Sequence, residues 1–124
     1  MEELDLYALI GEDGFHRLIA AFYRQVPNDD VLGPMYPNHD FAGAEGRLRD
    51  FLIGRFGGPQ RYIEQRGHPR LRMRHMGFPI GASERDTWFH HMSEAVRAGH
   101  LEPADEAEML EYFANAADHL VNRP

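Results

Sequence analysis

His75 closes the run Arg66-Gly67-His68-Pro69-Arg70-Leu71-Arg72-Met73-Arg74-His75, where a basic, proline-broken segment meets the apolar residues Met76 and Phe78. A single imidazole on a short helix can bind a planar iron cofactor from one side, while nearby arginines pair with the carboxylates of that cofactor. The same residues also read as an ordinary half-buried histidine beside a solvated charged turn, and pattern alone favours that plainer alternative. A second set is Tyr23, Tyr36 and Trp88, each carrying a polar hydrogen on a segment whose other marked residues are apolar. A buried phenol or indole without an acceptor costs about 1–3 kcal/mol. Most such groups reach a backbone carbonyl or water at the edge of a core; three around one pocket would instead suit a bound anion or a polarised ligand.

Other chemistries are excluded by what the sequence lacks. With no cysteine there is no disulfide, thiolate nucleophile, iron–sulfur cluster or CxxCH attachment. No GxSxG elbow, phosphate loop, HExxH pair or dinucleotide glycine fingerprint occurs. His90 and His91 are adjacent on a helix and point apart, so they form no metal pair. Together with His16, His100 and His119 they read as solvated surface histidines. The net charge of −7 argues against nucleic-acid binding, although residues 47–75 hold eight arginines against only Asp50 and Glu64. That basic stretch leaves one competing reading, a module without an iron cofactor that docks an anionic partner or nucleic acid and would purify colourless. No apolar run approaches bilayer length, and residues 1–5 are acidic where a secretory signal would be basic, so a cytoplasmic protein away from membranes is expected.

Positioning these residues falls to helices, since apolar spacing follows the helical period in several windows and no repeat interrupts it. At 124 residues the chain is expected to form one domain, 1–124. Phe15, Leu18, Ile19, Phe22 and Val26 make a stripe entered through Asp13 and closed by Pro27. Gly33 and Pro34 restrict residues 29–36 to a short turn. Asp40 is placed to cap a helix bearing Ala44, Leu48, Phe51 and Leu52, which Gly57-Gly58-Pro59 ends. Between Gln60 and Ala82, glycines at 67, 77 and 81 and prolines at 69 and 79 permit only short helical pieces around Leu71 to His75. Ser83 with Asp86 suggests a capping-box start for a helix through Ala98, with Trp88, Phe89, Met92 and Val96 inward. Pro103 opens a last helix bearing Leu110, Phe113, Ala114, Ala117, Leu120 and Val121. Four main helices around one core are expected.

From Phe15 to Leu120 these segments resemble the truncated haemoglobins, group II. The resemblance rests on Phe22-Tyr23, Val31-Leu32, Met35-Tyr36-Pro37, Ala42-Gly43-Ala44-Glu45, Arg47-Leu48 and Gly57-Gly58-Pro59. It rests above all on Gly67-His68-Pro69-Arg70-Leu71-Arg72-Met73-Arg74-His75, followed by Arg85-Asp86 and Trp88. It implies an all-α, two-over-two helical sandwich clasping non-covalent haem b (iron protoporphyrin IX), with the helices ending near Gln25 and Phe56 covering the distal side. It also implies an extended loop and a very short proximal helix after the double glycine.

Carried onto this sequence, the resemblance makes His75 the proximal iron ligand, its second ring nitrogen donating to a carbonyl or nearby acceptor. Tyr23, Tyr36 and Trp88 become the distal hydrogen-bonding residues. Ala44 stands where many globins place a distal histidine, and His39, in the preceding loop, is no replacement. Leu48, Phe51, Leu52, Phe22, Phe78 and Met92 are expected in the pocket wall, and Arg47, Tyr62, His68, Arg72 and Arg74 near the propionates. Two features depart from the common pattern: the glycine pair of the first turn is spread out as Gly11-Glu12-Asp13-Gly14, and Tyr36 replaces a frequent phenylalanine. The implied ligands are diatomic gases, namely oxygen, nitric oxide and carbon monoxide, with tight oxygen binding and slow release. The alternative is a redox enzyme, a nitric oxide dioxygenase or peroxidase-like protein, which would need a separate reductase because no flavin or nicotinamide domain is encoded. Assembly stays open, with a homodimer among the alternatives.

Overall fold

A computed structural model of the chain describes residues 6–36, 38 and 40–123, and among these there is no strand. The first helix, α1 (Leu6–Gln25), is broken at Gly11, whose φ of 73° and ψ of 176° lie outside helical space. The stripe expected from Asp13 onward is therefore the second limb of a kinked element that begins earlier. A left-handed φ suits glycine, which lacks a Cβ, so the spread-out Gly11 to Gly14 segment is used as a bend. After a 3-10 turn (Gly33–Met35) come α2 (Phe41–Arg55), α3 (Arg61–Arg66), α4 (Leu71–His75), α5 (Ala82–Ala98) and α6 (Pro103–Leu120).

Local signals explain most of these limits. The Asp40 carboxylate accepts from Gly43 N at 2.9 Å and so caps α2. At the other end Gly57 adopts φ 101°, and Gly58 N returns to Ile53 O at 2.8 Å; a Cβ on Gly58 would lie 2.7 Å from the Tyr7 ring. Pro103 occupies the first turn of α6, as its missing N–H allows. The start of α5 differs from expectation: Glu84 Oε1 accepts from Gly81 N at 2.8 Å, so the helix is capped from one side only, two residues earlier than Ser83 and Asp86. Val121 also lies beyond α6, in extended backbone.

The helices share one apolar core. Phe15, Ile19, Phe22, Leu52, Ile53, Phe56, Met92, Val96, Met109 and Phe113 are essentially inaccessible to solvent. α1 packs on α2 and α5, and α5 on α6. Tyr7 N donates to Phe56 O at 3.0 Å, joining the start of α1 to the end of α2. A two-pronged Arg61–Glu12 pair, at 2.8 and 3.1 Å, fixes α3 to α1. Residues 67–81 carry little regular structure besides α4.

His91 corrects the reading of a solvated histidine. Its Nδ1 meets Gln25 Oε1 at 2.8 Å and its Nε2 meets Asp29 Oδ2 at 2.6 Å, with only 15% of the side chain exposed. Asp29 also accepts from Val31 N and Leu32 N at 2.8 Å each, so this cluster anchors the turn leading to Tyr36. His16, His90, His100 and His119 are exposed, as expected.

Candidate functional site

α4 has five residues, none of them buried, yet it presents His75 to a cavity of about 530 Å³ to which every other helix contributes lining residues. His75 Nδ1 lies 2.6 Å from Leu71 O. A carbonyl oxygen can only accept, so Nδ1 carries the proton and the Nε2 lone pair is left for another partner. Nε2 has no partner among the described residues. Phe78 packs beside the imidazole, with ring centroids 6.4 Å apart.

Other elements bring side chains with polar hydrogens to the same cavity. Tyr23 on α1 and Tyr36 after the 3-10 turn both line it, with ring centroids 5.9 Å apart in an edge-to-face arrangement. Burial pushes both phenols above their usual range, Tyr23 the more strongly, and the two hydroxyls share a hydrogen bond. That bond uses one of the two hydroxyl hydrogens and leaves the other for a third group. Trp88 of α5 lines the cavity too, held by Phe22 at 5.6 Å and Phe113 at 5.9 Å, and its indole N–H has no partner among the described residues.

The remaining lining is mostly apolar. Leu48, Phe51, Leu52 and Ala44 come from α2, Tyr62 from α3, and Phe113, Ala117 and Leu120 from α6. Arg47, Arg66, Arg74 and Arg85 also border the cavity. Arg47 makes only a 4.0 Å contact with Asp40, and the Arg66 guanidinium has no partner among the described residues. Arg74 donates to Pro69 O and Arg66 O, while Arg85 is shared between Asp86 and Asp118. Among the described residues no group of three or more His, Cys, Asp or Glu could hold a bare metal ion. One imidazole lone pair in an apolar chamber bordered by guanidinium groups instead fits a metal carried by an apolar, carboxylate-bearing ring. The residues present therefore fit haem.

The bacterial-like globin family model matches residues 5–122. The chain belongs to that family. This globin is 33% identical over 117 residues to the group 2 truncated hemoglobin YjbI of Bacillus subtilis, covering 94% of this chain and 88% of the relative. Among solved structures, the thermostable hemoglobin of Thermobifida fusca is 51% identical, with a TM-score of 0.89 over 92% of this chain and 93% of that one. The hemoglobin of Chloroflexus aurantiacus is 42% identical, with a TM-score of 0.91 over 95% and 98%. The fold is the two-over-two globin sandwich of the truncated haemoglobins, and globins bind haem.

Of the residues singled out in the sequence, His75, Tyr23, Tyr36, Trp88, Ala44, Arg47, Leu48, Phe51, Leu52, Tyr62, Arg74 and Phe78 meet around the cavity. Four do not. Phe22 and Met92 are wholly buried in the core, Phe22 lying behind Tyr23 and Trp88 rather than on the wall. His68 is exposed and turns its Nδ1 to Arg70 N. Arg72 donates to His119 O and Val121 O. His39 lies outside the described residues. The lining residues that sequence reasoning missed include Arg66, Glu84, Arg85, Leu71 and Ile80. Arg66 and Leu71 belong to the basic run already noted and Arg85 to a motif of the resemblance, whereas Glu84 and Ile80 gave no signal.

Proposed function

We propose that this globin acts as one domain that seats haem b non-covalently, with His75 Nε2 as the protein's ligand to the iron, and binds diatomic gases tightly. The observation that carries the reading is the locked imidazole: Nδ1 lies 2.6 Å from Leu71 O, to which it donates, and the Nε2 lone pair is left free on a residue that lines the chamber. Bound haem supplies an iron site that takes a diatomic ligand and shifts negative charge onto it. The chain supplies the rest. Trp88 N–H and the free hydroxyl hydrogen of the Tyr23–Tyr36 pair offer donors on rings already held by packing, so little reorganisation opposes their use. Tyr23 holds Tyr36 in place through their hydrogen bond. Ala44 keeps that side of the chamber narrow in bulk and open to a small molecule, while Leu48, Phe51 and Leu52 limit water.

Arg47 and Arg66 are the guanidinium groups best placed for the cofactor's carboxylates, being the least engaged elsewhere. Each such exposed pair contributes about 0–1 kcal/mol, so retention rests on apolar burial and on His75. The test is His75→Gly. Stable haem retention should be lost, and added imidazole should restore a five-coordinate ferrous spectrum. A variant that kept that spectrum without imidazole would refute the assignment.

A further inference from the structure

The cofactor-side face of this globin depends on a helix too short to stand alone. Isolated helices below about 12–15 residues are marginal in water, and α4 has five residues, a left-handed Arg70 at its N-cap with φ 45°, no side-chain cap and no buried residue. Its neighbours in sequence are irregular, and the two bonds from Arg74 run only to the adjoining backbone of Pro69 and Arg66. What holds it lies some 47 residues away along the chain.

Asn122, just after α6, spends its whole side chain there. Its Nδ2 donates to His75 O at 3.1 Å and to Phe78 O at 2.9 Å, and its Oδ1 accepts from Ile80 N at 3.0 Å. The amide orientation is fixed by chemistry, since two carbonyls need donors and one N–H needs an acceptor. Asn122 N and Arg123 N both donate to Ile80 O, at 2.8 and 3.0 Å. From the other side, Arg72 Nη1 donates to His119 O at 2.6 Å and to Val121 O at 3.0 Å. A carbonyl of His75 itself is thus gripped by a residue that touches neither the cavity nor the imidazole ring.

We propose that Asn122 is a positioning residue for His75: it fixes the backbone of residues 75–80 and through it the height and tilt of the imidazole. This rests on His75 being the iron ligand. Asn122→Asp is close to isosteric and keeps the acceptor for Ile80 N, but turns a carboxylate oxygen toward the two carbonyls. Asn122→Ala removes all three bonds. In the haem-loaded protein both variants should speed amide hydrogen exchange across residues 76–80, shift or broaden the iron–imidazole stretching band of the ferrous form, and raise haem transfer to an acceptor globin about tenfold. His75→Gly serves as the control in which that band should vanish. If it vanishes there but stays unmoved in both Asn122 variants, this inference fails alone. If it persists in His75→Gly, the assignment of His75 fails and this inference with it.

Discussion

Trp88→Phe isolates the contribution of one hydrogen-bond donor. The indole N–H has no partner among the described residues, and its ring is wedged between Phe22 and Phe113, with centroids 5.6 and 5.9 Å away. A phenyl ring keeps much of that packing and loses only the donor and part of the ring's bulk. A hydrogen bond to a ligand that has gained charge contributes about 1.5–3 kcal/mol. At about 1.4 kcal/mol per factor of ten, its loss should accelerate oxygen release about ten- to a hundredfold. The extra space also eases entry, so association must be measured beside dissociation; the donor acts on release, the space on both. Stopped-flow displacement of oxygen by carbon monoxide gives the release rate, and flash photolysis gives association. A release rate within about twofold of the unmodified protein would refute the donor role.

Two further outcomes follow from other parts of the molecule. Tyr23 and Tyr36 share one hydrogen bond, so each is able to turn its hydrogen inward when the other is lost. Tyr23→Phe and Tyr36→Phe should each raise oxygen release a few-fold and the double variant about ten- to a hundredfold, a non-additive cycle; simple additivity would contradict the shared bond. Arg61 above all, with Tyr7 and His16, outweighs burial and holds the Glu12 carboxyl down at about 2, against an ordinary 4.5. Because the folded value is the lower one, this contribution is complete above about 4.5 and disappears as pH falls toward about 2. Urea unfolding from pH 6 to pH 2.5 should show acid destabilisation that Glu12→Gln reduces; equal pH dependence in both proteins would contradict the Arg61 pair.

The fold was largely legible because punctuation and periodicity agree. Asp40, Gly57-Gly58 and Pro103 each mark the end of a helix by a mechanism the structure reproduces. Gly11 escaped because a glycine within a helical pattern does not announce its φ. In the site, His75 stood out through its setting in a broken basic segment, but its pattern fits a plain histidine as well as a ligand, and resemblance to a family was needed to choose. Phe22 and Met92 sit on the same helical stripes as lining residues, and periodicity cannot separate a core position from a cavity wall. Arg72 was indistinguishable from its neighbours until the carbonyls of His119 and Val121, far along the chain, were found beside it. The partners of His91 are equally remote in sequence.

The most direct measurement is the absorbance of the purified protein reconstituted with haem, reduced and then exposed to carbon monoxide. The structure predicts a ferrous form with an open coordination position that converts fully to a carbon monoxide adduct at one haem per chain. A protein that takes up no haem, or whose ferrous spectrum carbon monoxide leaves unchanged, would contradict the account.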